Sequence, residues 1–254
     1  MNSLKTLEII LSTENDIKIK QSIGSVLHGM LMEHINPDYA ALMHSQTIRP
    51  YSQSVYFDKE KGKTVWRIST FDKTAEAEIL EAALQLPEKV YLKQKGFDLT
   101  LGKREIIRAC TYDELTEKYF ANECSFNAVE FKFITSTSFK QNGNYVIYPQ
   151  QALLFNSLLN KWNAFSDQIK LEDKNLAAEL AEATFVANYN LSLNNFSVSA
   201  TMIPAFRGKY LLKLKNNIMT KKIICLLADF SKYSGVGIKN ALGMGSVDVN
   251  FIKW

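Results

Sequence analysis

The sequence has few of the residues that build several common kinds of site. It contains three histidines and three cysteines, and Cys110, Cys124 and Cys225 have no C-x-x-C spacing. An odd number of widely spaced cysteines argues against a disulfide framework or a zinc site and indicates a reducing cytoplasm. No apolar run reaches the roughly 18 residues that a transmembrane helix needs. The opening "MNSLKTLEIILSTEN" alternates like a strand, so we expect no signal peptide and no membrane partner.

Acidic residues are scarce near the C-terminal end of the chain. Residues 201–254 contain nine Lys and Arg against two Asp and Glu, a net charge of +7. The whole chain carries +4, so the first 200 residues, with 21 basic and 24 acidic side chains, carry −3. This asymmetry indicates a surface that faces a polyanion, although a solvated lysine-rich face would have the same composition.

Apolar periodicity predicts the same order of elements in both halves of the chain. The first half alternates between strands and helices and includes separate short strands at "GFDLTLG" and "REIIRAC". The second half begins again with a strand and places a turn at Arg207–Gly208 between two later strands. We therefore predict an α+β fold of two tandem ferredoxin-like (RRM-like) β-α-β-β-α-β domains, residues 1–120 and 121–254.

Glycine is uncommon in the chain, yet four of its eleven glycines lie in "YSGVGIKNALGMGSV", residues 233–247. A helix precedes this segment and a strand follows it, and no G-K-[ST] is present, which argues against a dinucleotide fingerprint or a P-loop. Successive backbone N–H groups of such a bend can form a concave anion site, with Lys232 and Lys239 adding charge beside it. The alternative is a long structural loop that needs glycine for its turns.

The glycine segment also carries a resemblance to a known family. "SGVGIKNALGMGSV" resembles the C-terminal glycine-rich loop of the CRISPR-associated repeat-RNA endoribonucleases, within the superfamily of repeat-associated RNA-binding proteins. Three more segments are similar to that family in the same order: "VLHGMLMEHINPDYAALMHS", "IRPYSQSVYF" and "FKFITSTSFKQNGNYVIYPQQALLFNSLLNKWN". The resemblance implies two ferredoxin-like domains, binding of CRISPR repeat RNA (pre-crRNA and crRNA) and one cut per repeat. It leaves open a place in a CRISPR effector complex and a homodimer.

Cleavage of this kind needs no metal and no cofactor. The substrate's own 2′-hydroxyl attacks the phosphodiester, giving a 2′,3′-cyclic phosphate and a 5′-hydroxyl. The protein must move protons to and from these oxygens and stabilise the charge on the phosphorane. A histidine suits the first task because its pKa lies near neutrality, and a cation suits the second.

His44 is the leading candidate for the proton carrier. It ends the second short helix, where the family's motif places a general acid/base histidine; the alternative is a helix C-cap. His28, on the preceding helix, is a candidate second catalytic group, and His34 near that helix's end is a weaker one. Arg49 occupies the family's basic position after the histidine. Arginine donates protons poorly, so we assign Arg49 charge stabilisation, with a surface ion pair as the alternative.

One catalytic position of the family is not matched. Members often carry a tyrosine on the first helix, and Met32 stands at the corresponding place. His28, Tyr39 or Tyr51 could substitute, and the sequence does not choose among them.

The remaining candidates are residues expected to contact RNA. They are Gly235, Gly237, Lys239, Asn240, Gly243, Gly245, Lys232, Lys140, Arg207 and Lys209. Tyr145, Tyr148 and Phe206 could stack on bases, although a place in the core is the more common role of such aromatics. Two other functions remain open: a non-catalytic crRNA-binding subunit of the same superfamily, and a small-molecule nucleotide-binding protein that uses the glycine segment.

Overall fold

The computed structural model describes residues 2–14, 17–121, 125–167, 169–198 and 201–253; Cys124 lies outside these ranges. The first half of the chain forms one sheet with helices on one face. A π-helical segment, Glu76–Leu80, joins two of these helices. The elements are β1 (Ser3–Thr13), α1 (Gly24–Glu33), α2 (Pro37–Ser45), β2 (Tyr51–Asp58), β3 (Lys63–Thr70), α3 (Lys73–Ala75), α4 (Glu81–Gln85), β4 (Lys89–Leu92), β5 (Phe97–Thr111) and α5 (Tyr112–Phe120).

The first sheet has the ferredoxin-like strand order. Its strands lie in the order β2-β3-β1-β5-β4, with every pair antiparallel. Leu7, Ile9 and Leu11 of β1 alternate onto the buried face beneath the helices. The two short strands expected around Gly102 are one continuous strand, β5, so that part of the prediction is wrong. A glycine in a strand does not end it when the ladder on either side continues.

The second half of the chain forms the second sheet and its helices. Its elements are β6 (Ala128–Thr137), β7 (Phe139–Gln141), β8 (Asn144–Val146), α6 (Gln151–Phe165), α7 (Leu176–Glu182), β9 (Thr184–Val198), β10 (Thr201–Leu214), α8 (Ile218–Ser234) and β11 (Val247–Ile252). The main sheet has the order β11-β6-β10-β9, which is again the ferredoxin-like arrangement. The predicted fold class is confirmed, while the division at residue 120 stays a prediction.

The turn predicted at Arg207–Gly208 is wrong, because both residues lie inside β10. Gly208 has a φ of +133°, and a Cβ there would lie 2.0 Å from the carbonyl oxygen of Asn190 on β9. The pairing with β6 is irregular at this point, as at a β-bulge. Glycine is therefore needed here for close approach of two strands.

Helix α8 carries the chain to the glycine segment. Asn217 caps its N-terminus by accepting hydrogen bonds from the backbone N–H groups of Met219 and Thr220. Gly235 ends it with a φ of +62°. Phe230 of this helix packs against Trp162 of α6, with ring centroids 5.3 Å apart. No helix in the described part of the chain is long and apolar enough to span a membrane.

Buried polar contacts join the two modules. Asp248 of β11 accepts from Arg108 of β5 at 2.8 Å and from Arg67 of β3 at 3.3 Å. Gln53 of β2 donates to the backbone oxygen of Ala241 in the glycine segment at 2.8 Å. The glycine segment is therefore fixed against the first module, and a cleft opens at this junction.

Candidate active site

The structure brings two of the three histidines together. Asn36 caps α2, its side chain accepting from the backbone N–H groups of Asp38 and Tyr39, and the helix ends just beyond His44. His44 is exposed at this end. Its ring lies edge-on to that of His28 on α1, with centroids 6.0 Å apart. Their side chains therefore meet although the residues are 16 positions apart in the sequence.

His28 is buried, with 7% of its surface exposed. Its Nδ1 is hydrogen-bonded to the hydroxyl of Tyr51. Burial, followed by the positive charges of Arg49 and His44, lowers the pKa of His28 to about 4. His28 is therefore uncharged at neutral pH, which suits a positioning role beside His44 better than proton transfer.

The structure distinguishes the two tyrosines that could replace the missing one. Met32 packs in the core of the first module. Tyr51, at the start of β2, is stacked on His28 and lines the cleft at the module junction. Burial raises the pKa of Tyr51, so its hydroxyl keeps its proton at neutral pH. The pKa of Tyr39 is raised by burial and then by the charges of Asp72 and Glu78, an acidic setting that does not suit RNA.

Arg49 lies between the histidine pair and the cleft. Its Nε donates to the backbone oxygen of Met43 at 2.6 Å, which fixes the loop after α2. It lines the cleft and forms no ion pair with any side chain that the structure describes. The surface ion pair considered for Arg49 is therefore not found in the described part of the structure, and its guanidinium is available to an anion.

The cleft has a volume of about 680 Å³ and lies between the modules. One wall is residues 46–49 and Tyr51, directly after His44; the others are α6, the β7–β8 hairpin and residues 237–242. His44 is not among the described residues that line the cleft; it lies two residues before Gln46, which does, and its ring centroid is 6.0 Å from that of His28. Four basic side chains and no acidic ones are found among the described residues that line the cleft: Arg49, Lys140, Lys161 and Lys239.

The backbone amides of the four glycines are not available to an anion. Gly235 donates to Ser231 O at 2.8 Å, Gly237 to Ser157 Oγ at 2.9 Å and Gly245 to Ser136 O at 2.9 Å. Gly243 donates to the Asn240 carbonyl at 3.4 Å. The four glycine amides therefore do not take part in the expected anion site, and an anion site formed by other N–H groups of the segment stays a prediction.

Close packing of the backbone accounts for the glycines instead. A Cβ at Gly245 would lie 2.0 Å from the carbonyl oxygen of Val236, and one at Gly237 would lie 2.3 Å from that of Ser138. The backbone therefore agrees with the alternative interpretation, a structural loop that needs glycine. RNA contact by this segment stays a prediction and would run through Lys239, which is exposed and lines the cleft.

A buried lysine holds the segment from below, and the sequence analysis did not identify it. Lys161 of α6 donates to Asn240 Oδ1 at 2.6 Å and to the carbonyls of Gly235 at 3.0 Å and Ser234 at 3.4 Å. Burial lowers the pKa of Lys161 to about 7. The sequence shows only a single lysine at this point of α6, four residues after Ser157 and therefore on the same face of the helix.

Asn240 is a structural clamp within the glycine segment. Its Oδ1 accepts from Lys161, and its Nδ2 donates to the carbonyls of Val236 at 3.0 Å and Met244 at 3.1 Å. Since the amide is buried and hydrogen-bonded within the segment, it stabilises the fold of the loop, and contact of Asn240 with RNA stays a prediction.

Comparison with known proteins identifies the family. Over 230 residues the chain is 34% identical to the CRISPR-associated endoribonuclease Cas6 of Streptococcus thermophilus, covering 89% of this chain and 91% of that protein. The chain belongs to the Cas6 family. A family model described as CRISPR-associated endoribonuclease Cas6 matches residues 131–247. A Mycobacterium tuberculosis Cas6 is 27% identical over 95% of this chain and 77% of that protein.

Solved Cas6 structures share the fold along nearly the whole chain. A Cas6 product complex superposes with a TM-score of 0.78 at 24% identity, covering 98% of this chain and 100% of that one. A Thermus thermophilus Cas6 superposes with a TM-score of 0.72 at 21% identity, covering 98% of this chain and 99% of that one. At these identities the likeness shows a common fold.

The other predicted RNA contacts of this Cas6 protein lie in three places. Lys140 lines the cleft. Lys232 is paired with Asp229 at 2.6 Å in a separate pocket near Arg108, so its predicted place beside an anion site in the glycine segment is wrong. Arg207 and Lys209 are exposed on β10, outside the cleft, and Lys209 contacts Glu130 at 3.3 Å.

The three aromatic candidates also separate. Phe206 is fully buried in the core of the second module. Tyr148 packs edge-on to Tyr189 and Tyr210. Tyr145 is 37% exposed and lines the cleft, so among the three it is the one positioned to stack on a base there.

Proposed function

We propose that this Cas6 protein cleaves CRISPR precursor transcripts within each repeat, without a metal ion, to give guide crRNAs. The supporting observation is a cleft lined by Arg49, Lys140 and Lys239, with no acidic side chain among its described lining residues, whose wall begins two residues after the exposed His44. Such a cleft attracts a phosphodiester backbone. Relatives named as Cas6 endoribonucleases supply the substrate class.

In this proposal His44 is the proton carrier. Its imidazole takes the proton of the 2′-hydroxyl, with water then protonating the leaving 5′-oxygen, or it protonates the 5′-oxygen while water accepts the proton of the 2′-hydroxyl. The new bond joins the 2′-oxygen to phosphorus and the bond to the 5′-oxygen breaks, leaving a 2′,3′-cyclic phosphate and a 5′-hydroxyl. Arg49 stabilises the charge on the phosphorane. His28, held by Tyr51, positions the His44 ring.

The experiment is cleavage of repeat RNA in EDTA, followed by analysis of the fragment ends. We expect fragments that end in a 2′,3′-cyclic phosphate and begin with a 5′-hydroxyl. A matched RNA with a 2′-deoxynucleotide at the cleavage site should stay intact, because it lacks the nucleophile. Cleavage of that deoxy substrate would contradict the mechanism.

The alternative is a non-catalytic crRNA-binding subunit of an effector complex, and Met32 at the position of the family's tyrosine is the feature that favours it. Intact RNA under tight binding in the same assay would support this alternative. Membership of an effector complex, a homodimer and a cytoplasmic location stay predictions.

A further inference from the structure

Three amide side chains in the cleft have no role in the proposed chemistry. Asn156 and Asn160 lie one turn apart on α6, and both are exposed on the face that lines the cleft. Neither amide is hydrogen-bonded to any part of the chain that the structure describes. Gln46 lies two residues after His44 and lines the same cleft.

Gln46 has an unusual environment for a polar side chain. Its Oε1 is buried and has no hydrogen-bond partner among the described residues. Most buried polar atoms in proteins are hydrogen-bonded to protein or to ordered water, so this acceptor is open to a donor from water or from a ligand in the cleft. Asn156 and Asn160, which also line the cleft, add both donors and acceptors.

The surroundings of these amides suit a flat aromatic group. Tyr145, Ile48 and Ile238 line the same cleft and supply apolar surface. The volume, about 680 Å³, lies within the roughly 300–1,000 Å³ typical of sites for small molecules. Unpaired RNA bases are recognised in proteins by stacking on aromatic side chains and by hydrogen bonds to the base edge. An amide presents the adjacent donor and acceptor that match such an edge.

We propose that Gln46, Asn156 and Asn160 bind one unpaired nucleobase adjoining the cleaved phosphodiester, with Tyr145 as its stacking surface. The inference rests on the proposed function for the identity of the RNA. It adds a specificity element, since a base held beside His44 fixes which phosphodiester reaches the imidazole. Recognition thus comes from side chains of both modules.

The test is a cycle that combines protein variants with abasic substrates, read out as RNA binding. Repeat RNAs carrying a single abasic nucleotide at each position around the cleavage site are titrated against wild type and against the double variant Asn156→Ala with Asn160→Ala. For wild type, one abasic position should weaken binding on the order of tenfold. For the double variant that penalty should fall to about twofold or less.

Gln85→Ala is the matched control, because it removes an exposed helical amide that is not among the residues lining the cleft. Gln85→Ala should keep the full loss of affinity that the abasic nucleotide causes in wild type. A double variant that also keeps the full penalty, or that loses affinity equally on every substrate, would overturn the proposal. Because binding is measured, the test holds even if the RNA is not cleaved; failure of cleavage would instead count against the proposed function.

Discussion

Replacing Lys161 by methionine should change how the stability of the protein depends on pH. Lys161 is buried, with 8% of its surface exposed, and burial lowers its pKa to about 7, whereas a lysine in the unfolded chain titrates near 10.5. Between these two values the unfolded chain binds more protons than the folded one. The free energy of unfolding therefore rises with pH across this window, because the buried ammonium loses its proton.

The size of the effect follows from the two pKa values. The folded lysine is half protonated at pH 7 and almost neutral at pH 9, while the unfolded one stays protonated. Integrating the difference gives a gain of about 2 kcal/mol in the free energy of unfolding between pH 7 and pH 9. Lys161→Met removes the titrating group, so the variant should lack this gain.

Urea denaturation of wild type and Lys161→Met at pH 7, 8 and 9 measures this gain in the free energy of unfolding. The difference in unfolding free energy between wild type and Lys161→Met should widen by about 2 kcal/mol from pH 7 to pH 9. The other titratable groups are present in both proteins, so their contributions cancel in the difference. Lys174→Met, at an exposed position, should follow wild type. A constant difference for Lys161→Met would refute the reasoning.

Three further outcomes are expected. Lys239→Ala should weaken binding across RNA sequences and reduce the slope of log affinity against log salt by about 1, whereas Lys232→Ala should change neither in the same titration. Gly245→Ala, which places a Cβ 2.0 Å from a carbonyl oxygen at a φ of +72°, should lower the unfolding free energy by about 3 kcal/mol in urea. Asp248→Ala should cost about 1 kcal/mol in the same assay, because Arg108 loses its carboxylate partner while Arg67 keeps its pairing with Glu8.

The order of the elements could be predicted from the sequence because it depends on local periodicity. Strand alternation in β1 and the helical spacing of the following segment give the β-α-β-β-α-β order in each half. The errors came from glycines inside strands. Gly102 and Gly208 were interpreted as breaks, yet both lie within ladders whose continuity depends on neighbouring strands. Only the paired partner, which is distant in sequence, shows that such a strand continues.

The candidate site also contains features that the sequence predicted and features that it did not. The exposed position of His44 at a helix end followed from its local sequence. The clamp made by Lys161 and Asn240 did not, because a lysine in a helix is normally solvated, and only the packing of α6 under the glycine segment buries it. The sequence likewise did not show which acceptors the amides of the glycine segment bind, so they were predicted to bind an anion. Two of their acceptors, Ser157 for Gly237 and Ser136 for Gly245, lie on elements distant in the sequence.

The role of His44 is tested most directly by replacing it and measuring cleavage and binding separately. His44→Ala should lower the single-turnover rate of repeat cleavage by a factor of roughly 10² to 10⁴, because the proton carrier is lost. The Kd for the RNA should stay within about twofold of wild type, because the substitution removes little charge. His34→Ala, at an exposed histidine that contacts the Met30 carbonyl, should cleave at the wild-type rate. Wild-type cleavage by the His44→Ala protein would contradict the account.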